Sequence, residues 1–155
     1  RTSKALTRLS ELFRSREVRK TYWAIVSDRP PAEEGELSNY LKKNEKQNKS
    51  YVYDNEVKGS KGATLSYRIL ARSERYYLLE IDLHTGRHHQ IRAQLAAAGC
   101  PVRGDLKYGA RRSNEGGGIS LHSRRVTFIH PVKKLEITAE APLPDDKIWK
   151  LFKHV

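Results

Sequence analysis

An apolar run bounded by polar residues predicts a strand over residues 19–27, which are rich in aromatic and β-branched side chains. Successive side chains of a strand point to opposite faces, and here both faces carry apolar groups. One face carries Tyr22, Ala24 and Val26, and the other carries Trp23 and Ile25. A strand that is apolar on both faces is typical of the interior of a sheet.

Similar patterns predict further strands over residues 36–41, 51–57, 63–71, 76–83, 120–130 and 135–141. Short turns at 58–62, 72–75 and 131–134 separate neighbouring strands and favour antiparallel pairing. Residues 42–50 are polar and mostly basic. They predict a solvated loop, with a phosphate-contacting insertion as the alternative.

Helical spacing of apolar residues predicts three helices, over residues 3–18, 90–98 and 145–153. The first has Thr2 or Ser3 as N-cap and would cover the core with Ala5, Leu6, Leu9, Leu12 and Phe13. Gly99 ends the second. Asp145 and Asp146 begin the third, which would pack through Ile148, Trp149, Leu151 and Phe152. Because strands outnumber helices, the chain predicts an α+β fold, a mainly antiparallel mixed sheet with flanking helices.

The net charge of the chain indicates which kinds of molecule it binds. The 155 residues include 30 Lys and Arg against 18 Asp and Glu, a formal net charge of +12. An excess of this size favours a polyanion, most often nucleic acid. Cys100 is the only cysteine, so an internal disulfide and a zinc site built on cysteine pairs are excluded, and a reducing cytoplasm is expected.

The segment from Leu83 to Arg92 links the predicted strand 76–83 to the helix 90–98. Gly86 is expected to provide a positive φ in this turn. A helix start attracts anions, and Arg87 and Arg92 add permanent positive charge. This corner of the fold is therefore the candidate site.

Four sequence blocks resemble those of the RluA-like, large-subunit-type family of pseudouridine synthases. The central block is Thr85-Gly86-Arg87-x-His89-Gln90-Ile91-Arg92, followed by Gly99-x-Pro101-x-x-Gly104-Asp105-x-x-Tyr108-Gly109. Upstream lies Arg19-Lys20-Thr21-Tyr22-Trp23-Ala24-Ile25-Val26, and downstream lie Leu121-His122 and Phe128-Ile129-His130-Pro131. The blocks occur in order over nearly the whole chain, which makes the resemblance specific.

The resemblance implies the catalytic-domain fold of that family and isomerisation of a uridine in structured rRNA or tRNA, without metal or organic cofactor. Tyr22 would stack on the target base and assist proton removal, and Arg92 would pair with the catalytic aspartate. Lys20, Arg87, His89 and Gln90 would contact RNA, although an architectural role for the last three is equally open. Asp105 would form a turn, by capping or Asx-turn bonding.

The family's His-Arg-Leu-Asp block, which carries the catalytic aspartate, has no counterpart in residues 1–155. The resemblance therefore implies that this chain is the C-terminal larger part of one catalytic domain. It would be inactive alone, with the aspartate upstream of Arg1. We further expect a cytoplasmic monomer that binds RNA and no membrane.

Two other classes of protein compete with this interpretation. A non-catalytic basic RNA-binding module fits the missing aspartate. A metallo-hydrolase could use His84, His88, His122 or His130, but no helical His-Glu-x-x-His motif is present.

Overall fold

A seven-stranded sheet forms the framework of the computed structural model, which describes residues 3–15 and 18–155. The strands are β1 (Arg19–Val26), β2 (Glu34–Asn44), β3 (Lys49–Tyr53), β4 (Lys61–Arg72), β5 (Tyr77–Leu83), β6 (Leu121–Ile129) and β7 (Glu136–Glu140). Their order across the sheet is β3-β2-β4-β5-β1-β6-β7. Each neighbouring pair is antiparallel, which confirms the predicted antiparallel α+β architecture.

The helices are α1 (Ser3–Ser15), α2 (Gln90–Ala97) and α3 (Lys147–Lys150), and a single 3₁₀ turn spans Leu106–Tyr108. The end of α2 follows the prediction: Gly99 has φ 88°, and its N–H donates to Ala96 O at 3.0 Å. The N–H of Cys100 donates to Leu95 O at 2.9 Å, which completes a Schellman motif. Glycine is favoured there because a side chain strains the left-handed conformation.

β1 is an interior strand, as predicted, with β5 on one side and β6 on the other. Its two faces pack into different clusters. Ala24 and Val26 join buried residues of β4, β5 and α2, among them Leu65, Ile91 and Leu95.

The opposite face of β1 packs beneath the C-terminal segment of the chain. There Trp23, Ile25 and Leu78 contact Trp149 and Phe152. Asp146 caps α3 by accepting hydrogen bonds from the N–H groups of Ile148 and Trp149, both at 2.9 Å. The sheet is thus buried on two sides, with α2 on one face and the α3 segment on the other.

Several predicted boundaries were wrong. The basic stretch 42–50 is not a loop, because β2 runs to Asn44 and pairs with β3 as a hairpin that turns at residues 45–48. α3 is only four residues long, and Leu151 is 45% exposed instead of packed. Of the helix predicted over 3–18, the structure describes Ser3–Ser15 as helical and Val18 as a bend.

The predicted core-covering face of α1 is wrong at Leu6, whose side chain is 68% exposed. Thr2 lies outside the described residues, and so do the side chains of Leu9, Leu12 and Phe13.

Candidate active site

The turn between β5 and α2 places the central sequence block at one end of the sheet. Its left-handed residue is His89, with φ 54° and ψ 27°, which directly precedes α2. Gly86 does not have the positive φ that was predicted for it. A side chain at Gly86 would instead approach the ammonium of Lys20, which lies 3.8 Å from an ideal Cβ position. Lys20 of β1 therefore lies beside this turn.

Gln90 fixes the turn to β4. Its side-chain oxygen accepts from Thr85 Oγ1 at 2.8 Å and from the Arg87 N–H at 2.9 Å, while its amide nitrogen donates to Thr64 O at 3.1 Å. The side chain is 3% exposed. These contacts agree with the architectural role considered for Gln90, and its contact with RNA stays a prediction.

Arg92 forms a bidentate ion pair with Asp105. Its Nε and Nη2 donate to the two carboxylate oxygens at 2.8 Å each, and Asp105 is 1% exposed. This pairing corrects the turn-forming role predicted for Asp105, whose side chain makes no capping hydrogen bond. The carboxylate raises the pKa of the Arg92 guanidinium.

His89 is the third partner of this ion pair. Arg92 Nη1 lies 3.1 Å from His89 Nε2, and because a guanidinium only donates, Nε2 must accept. His89 Nδ1 then carries the proton and donates to Tyr108 Oη at 2.8 Å. Burial and the positive charge of Arg92 lower the pKa of His89 to about 4. The ring is therefore neutral at pH 7, with its tautomer set by Arg92.

Tyr108 connects this network to the β2–β3 hairpin. Its hydroxyl accepts from the N–H of Ser50 at 2.9 Å, and the Ser50 hydroxyl donates to His88 O at 2.7 Å. The His88 ring stacks on His89 with centroids 3.7 Å apart, and its Nε2 lies 3.0 Å from Asn48 Oδ1. Burial, with Lys43 the next largest cause, lowers the pKa of His88. A hairpin far away in sequence is thus docked on the start of α2.

The structure places the other predicted site residues around this corner. Tyr22 is half-buried and packs against the cluster that contains Ile91 and Leu95, on the sheet face that α2 covers. Arg87 donates from Nε to Gly62 O at 2.8 Å. The catalytic roles of Tyr22 and Arg92 stay predictions.

The sequence interpretation did not foresee Ser50 or Asn48 as residues of the site, or the partners of Asp105 and Tyr108. Asp105 and Tyr108 belong to a recognised block, but their partners are 13 and 58 positions away. Asn48 offered one usable signal, since asparagine tolerates the left-handed conformation it adopts here, φ 49°.

The structure also bears on a metal site and on a membrane-spanning helix. Among residues 3–15 and 18–155, no group of three or more His, Cys, Asp or Glu side chains is arranged to hold a metal ion. In that same part of the chain, no helix has the length and apolar character needed to span a bilayer.

Comparison with known proteins defines the family. Residues 1–97 match the model of the RNA pseudouridylate synthase family. Since this match covers more than half of the 155 residues, the chain belongs to that family.

Curated relatives support this assignment. An uncharacterized RNA pseudouridine synthase of Synechocystis is 36% identical over 150 residues, covering 90% of this chain and 50% of the relative. One from Bacillus subtilis is 31% identical, with 85% and 43% covered. A tRNA pseudouridine synthase C of Vibrio vulnificus is 29% identical, with 96% and 66% covered. The chain thus spans about half the length of the first two relatives.

Solved structures support the fold. The human RNA pseudouridylate synthase domain containing 4 superposes with a TM-score of 0.80 at 22% identity. That superposition covers 98% of this chain and 68% of the human one. The human domain containing 1 gives 0.77 at 21% identity, with 92% and 62% covered. At such identities the likeness concerns the fold alone.

Proposed function

We propose that this chain is the larger, C-terminal part of the catalytic domain of an RNA pseudouridine synthase, which isomerises a uridine in structured rRNA or tRNA. The observation that carries the proposal is the family match together with the position of the central block, which brings Arg92 to a fixed place at the start of α2. The reaction breaks the N-glycosidic bond, turns the base and rejoins it through carbon. It requires no oxidant, reductant or cofactor.

The guanidinium of Arg92 has capacity for a second carboxylate. Nε and one N–H of Nη2 bind Asp105, and one N–H of Nη1 faces His89. One N–H remains on each terminal nitrogen without a partner in the described part of the chain. A carboxylate accepts such a pair in bidentate geometry. We propose that the catalytic aspartate, supplied from upstream of Arg1, binds here.

Tyr22 would act on the base. Uridine within folded RNA must be splayed out before an enzyme reaches its sugar. An aromatic ring stacks on an exposed base with about 1–3 kcal/mol, which offsets part of the lost stacking. Its hydroxyl would assist proton removal at carbon.

The test is a turnover assay of the protein extended upstream of Arg1, on a panel of rRNA and tRNA transcripts, with pseudouridine measured by mass spectrometry. We expect pseudouridine with the extended protein and none with residues 1–155. Absence of product on every RNA, with RNA binding intact, would overturn the proposal in favour of a non-catalytic RNA-binding module.

Two variants of the extended protein test the roles proposed for Arg92 and Tyr22. Arg92→Lys keeps the charge but loses the planar fork, so turnover should fall about 100-fold while the Kd for RNA changes little. Tyr22→Phe keeps the ring, so binding should persist while turnover reports what the hydroxyl contributes. Loss of binding without loss of single-turnover rate in Arg92→Lys would contradict the assigned role.

The oligomeric state and the cellular compartment are two further proposals. We propose that the protein acts as a monomer. We also propose that it acts in the cytoplasm, because its single cysteine, Cys100, is free and buried and suits a reducing compartment. Sedimentation of the extended protein tests the first property, and cell fractionation tests the second.

A further inference from the structure

A basic cleft lies between the β2–β3 hairpin and the turn that precedes α2. Its volume is about 380 Å³, and its lining includes Lys43, Ser50, Lys61, Gly86, Arg87 and His88. The β2–β3 hairpin forms one wall, and the loop at Gly86 and Arg87 forms another. The cleft is separate from the Arg92–Asp105 ion pair but shares the His88–His89 segment with it.

Two of the cations in this cleft have no acidic partner within the described residues. Arg87 is fixed by its Nε–H bond to Gly62 O, which leaves both terminal nitrogens unoccupied. Lys61, at the start of β4, is exposed and its ammonium contacts no carboxylate. The one acid in the lining, Glu45, is 3.3 Å from Lys43 and offsets that lysine. The cleft therefore keeps an excess of about two positive charges, because an arginine and a lysine remain charged at pH 7.

Ser50 and His88, which line the cleft, are held in place by hydrogen bonds. The Ser50 hydroxyl and the Asn48 amide flank the His88 ring, which stacks on His89. Gly86 leaves its side of the cleft open, since only Lys20 Nζ lies near the position that its Cβ would occupy. A small anion such as a phosphate suits this cleft, because the terminal N–H groups of Arg87 and the ammonium of Lys61 can donate to its oxygens.

We propose that this cleft binds a backbone phosphate of the substrate RNA, next to the nucleotide that reacts at Arg92. This inference rests on the proposed function. It names Lys61 and Arg87 as the ligands. RNA is favoured over an acidic protein because the chain belongs to an RNA-modifying family and carries a formal charge of +12. Arg87 also lies only five positions before Arg92 on the same turn and helix.

The test measures binding of the 155-residue chain to a fluorescein-labelled RNA stem-loop by fluorescence anisotropy, at several salt concentrations. Lys61→Gln/Arg87→Gln should raise the Kd about 10-fold and lower the slope of log Kd against log salt by about one unit. Lys61→Gln alone removes no side-chain hydrogen bond or ion pair made with the described residues. It should show part of the effect if the double variant does not fold.

The matched control is Lys133→Gln/Lys153→Gln, which removes the same charge at the other side of the molecule. Lys133 lies in the turn between β6 and β7, at the opposite edge of the sheet, and Lys153 follows α3 on the opposite face. We expect this control to retain the salt slope. Equal loss of affinity in both double variants would mean that only net charge matters and would overturn the proposal.

A competition experiment distinguishes RNA from an acidic protein as the partner of this cleft. Decaglutamate should compete with the stem-loop only weakly. If it binds more tightly than the RNA, and does so through Lys61 and Arg87, the cleft is a protein-docking site and the proposal fails. Neither binding experiment measures turnover. An absence of pseudouridine would therefore overturn the proposed function, whereas the phosphate site is tested by the binding data alone.

Discussion

Arg92 is coupled to the stability of the fold as well as to its proposed chemistry. Its partner Asp105 is 1% exposed, whereas the Arg92 side chain is 21% exposed. Arg92→Ala would leave a buried carboxylate without a counter-charge, which costs about 3–5 kcal/mol. We therefore expect the free energy of unfolding, measured in urea at pH 7, to fall by about that amount.

A double variant tests whether the unpaired carboxylate of Asp105 causes this loss of stability. Arg92→Ala/Asp105→Ala removes both charges, so it should be more stable than Arg92→Ala alone. If Arg92→Ala lowers stability by less than about 1 kcal/mol, as exposed ion pairs do, the pair contributes little to folding. Loss of turnover in Arg92→Ala cannot by itself establish a role in chemistry, which is why Arg92→Lys is the better variant.

His89 makes stability depend on pH. Its pKa is about 4 in the folded protein, against an ordinary value of 6.5. Between these values the unfolded chain binds the proton and the folded protein does not, so stability is full above pH 6.5 and is lost as the pH falls towards 4. One pKa unit corresponds to about 1.4 kcal/mol, and partial exposure reduces the effect, so we expect a loss on the order of 1–2 kcal/mol.

The measurement is urea unfolding at pH 7 and pH 4.5, compared with His89→Asn. Asparagine tolerates the left-handed conformation and does not titrate, so the variant should lose less stability on acidification. Because His88 stacks on His89 and its pKa is also lowered, His88→Asn is measured in the same way to separate its contribution. Parallel losses in the original protein and in His89→Asn would show that His89 is not the group responsible.

At the scale of residues, the sequence pointed to individual residues, but it did not show which other side chains they contact. Tyr22 and Arg92 were singled out from motif position, and Gly99 from its place after a helical run. The ion pair of Arg92 with Asp105 could not be read from the chain, because which distant groups meet depends on how the 3₁₀ turn folds back over α2. The left-handed residue was misassigned to Gly86 since glycine is the usual choice, whereas here His89 is held there by Tyr108 and Arg92.

At the scale of elements, the hydroxyl of Tyr108 links the β2–β3 hairpin to the residue that precedes α2. Tyr108 Oη accepts from the Ser50 N–H and from His89 Nδ1. Tyr108→Phe would leave both donors unsatisfied beneath the hairpin, at a cost of about 1–3 kcal/mol for a buried group. We expect faster amide exchange at Ser50 and its β3 neighbours, measured by hydrogen–deuterium exchange.

The β6–β7 hairpin provides the internal control for this variant. Its strands pair at the other edge of the sheet and make no contact with Tyr108, so their exchange should not change. Uniform acceleration across the whole sheet would mean that Tyr108 supports global stability and not the docking of one hairpin.

The same hairpin shows why elements at an edge are hard to predict. β1 was recognised because both of its faces are buried and therefore apolar. β2 and β3 lie at the edge, where many side chains face water, so lysines occupy strand positions and the apolar pattern fades. α3 was predicted too long because Leu151 continues the apolar spacing, although the chain turns and exposes it.

At the scale of the whole molecule, one continuous sheet joins two cores. The α2 face supports the candidate site, and the opposite face is closed by Trp149 and Phe152 against Trp23 and Ile25. Because the same interior strands form both cores, unfolding should be cooperative, with no separate loss of either face.

A substitution at Phe152 tests whether the two faces of the sheet unfold together. Its side chain is 1% exposed, so Phe152→Ala should lower the free energy of unfolding by about 3–5 kcal/mol through a cavity far from Arg92. Both tryptophans lie in the affected cluster, so their fluorescence should change in urea together with the far-ultraviolet ellipticity. Leu151→Ala, at a 45% exposed neighbour, should have little effect. Tryptophan emission that shifts at lower urea than the ellipticity would show instead that the α3 face unfolds alone, leaving the site face folded.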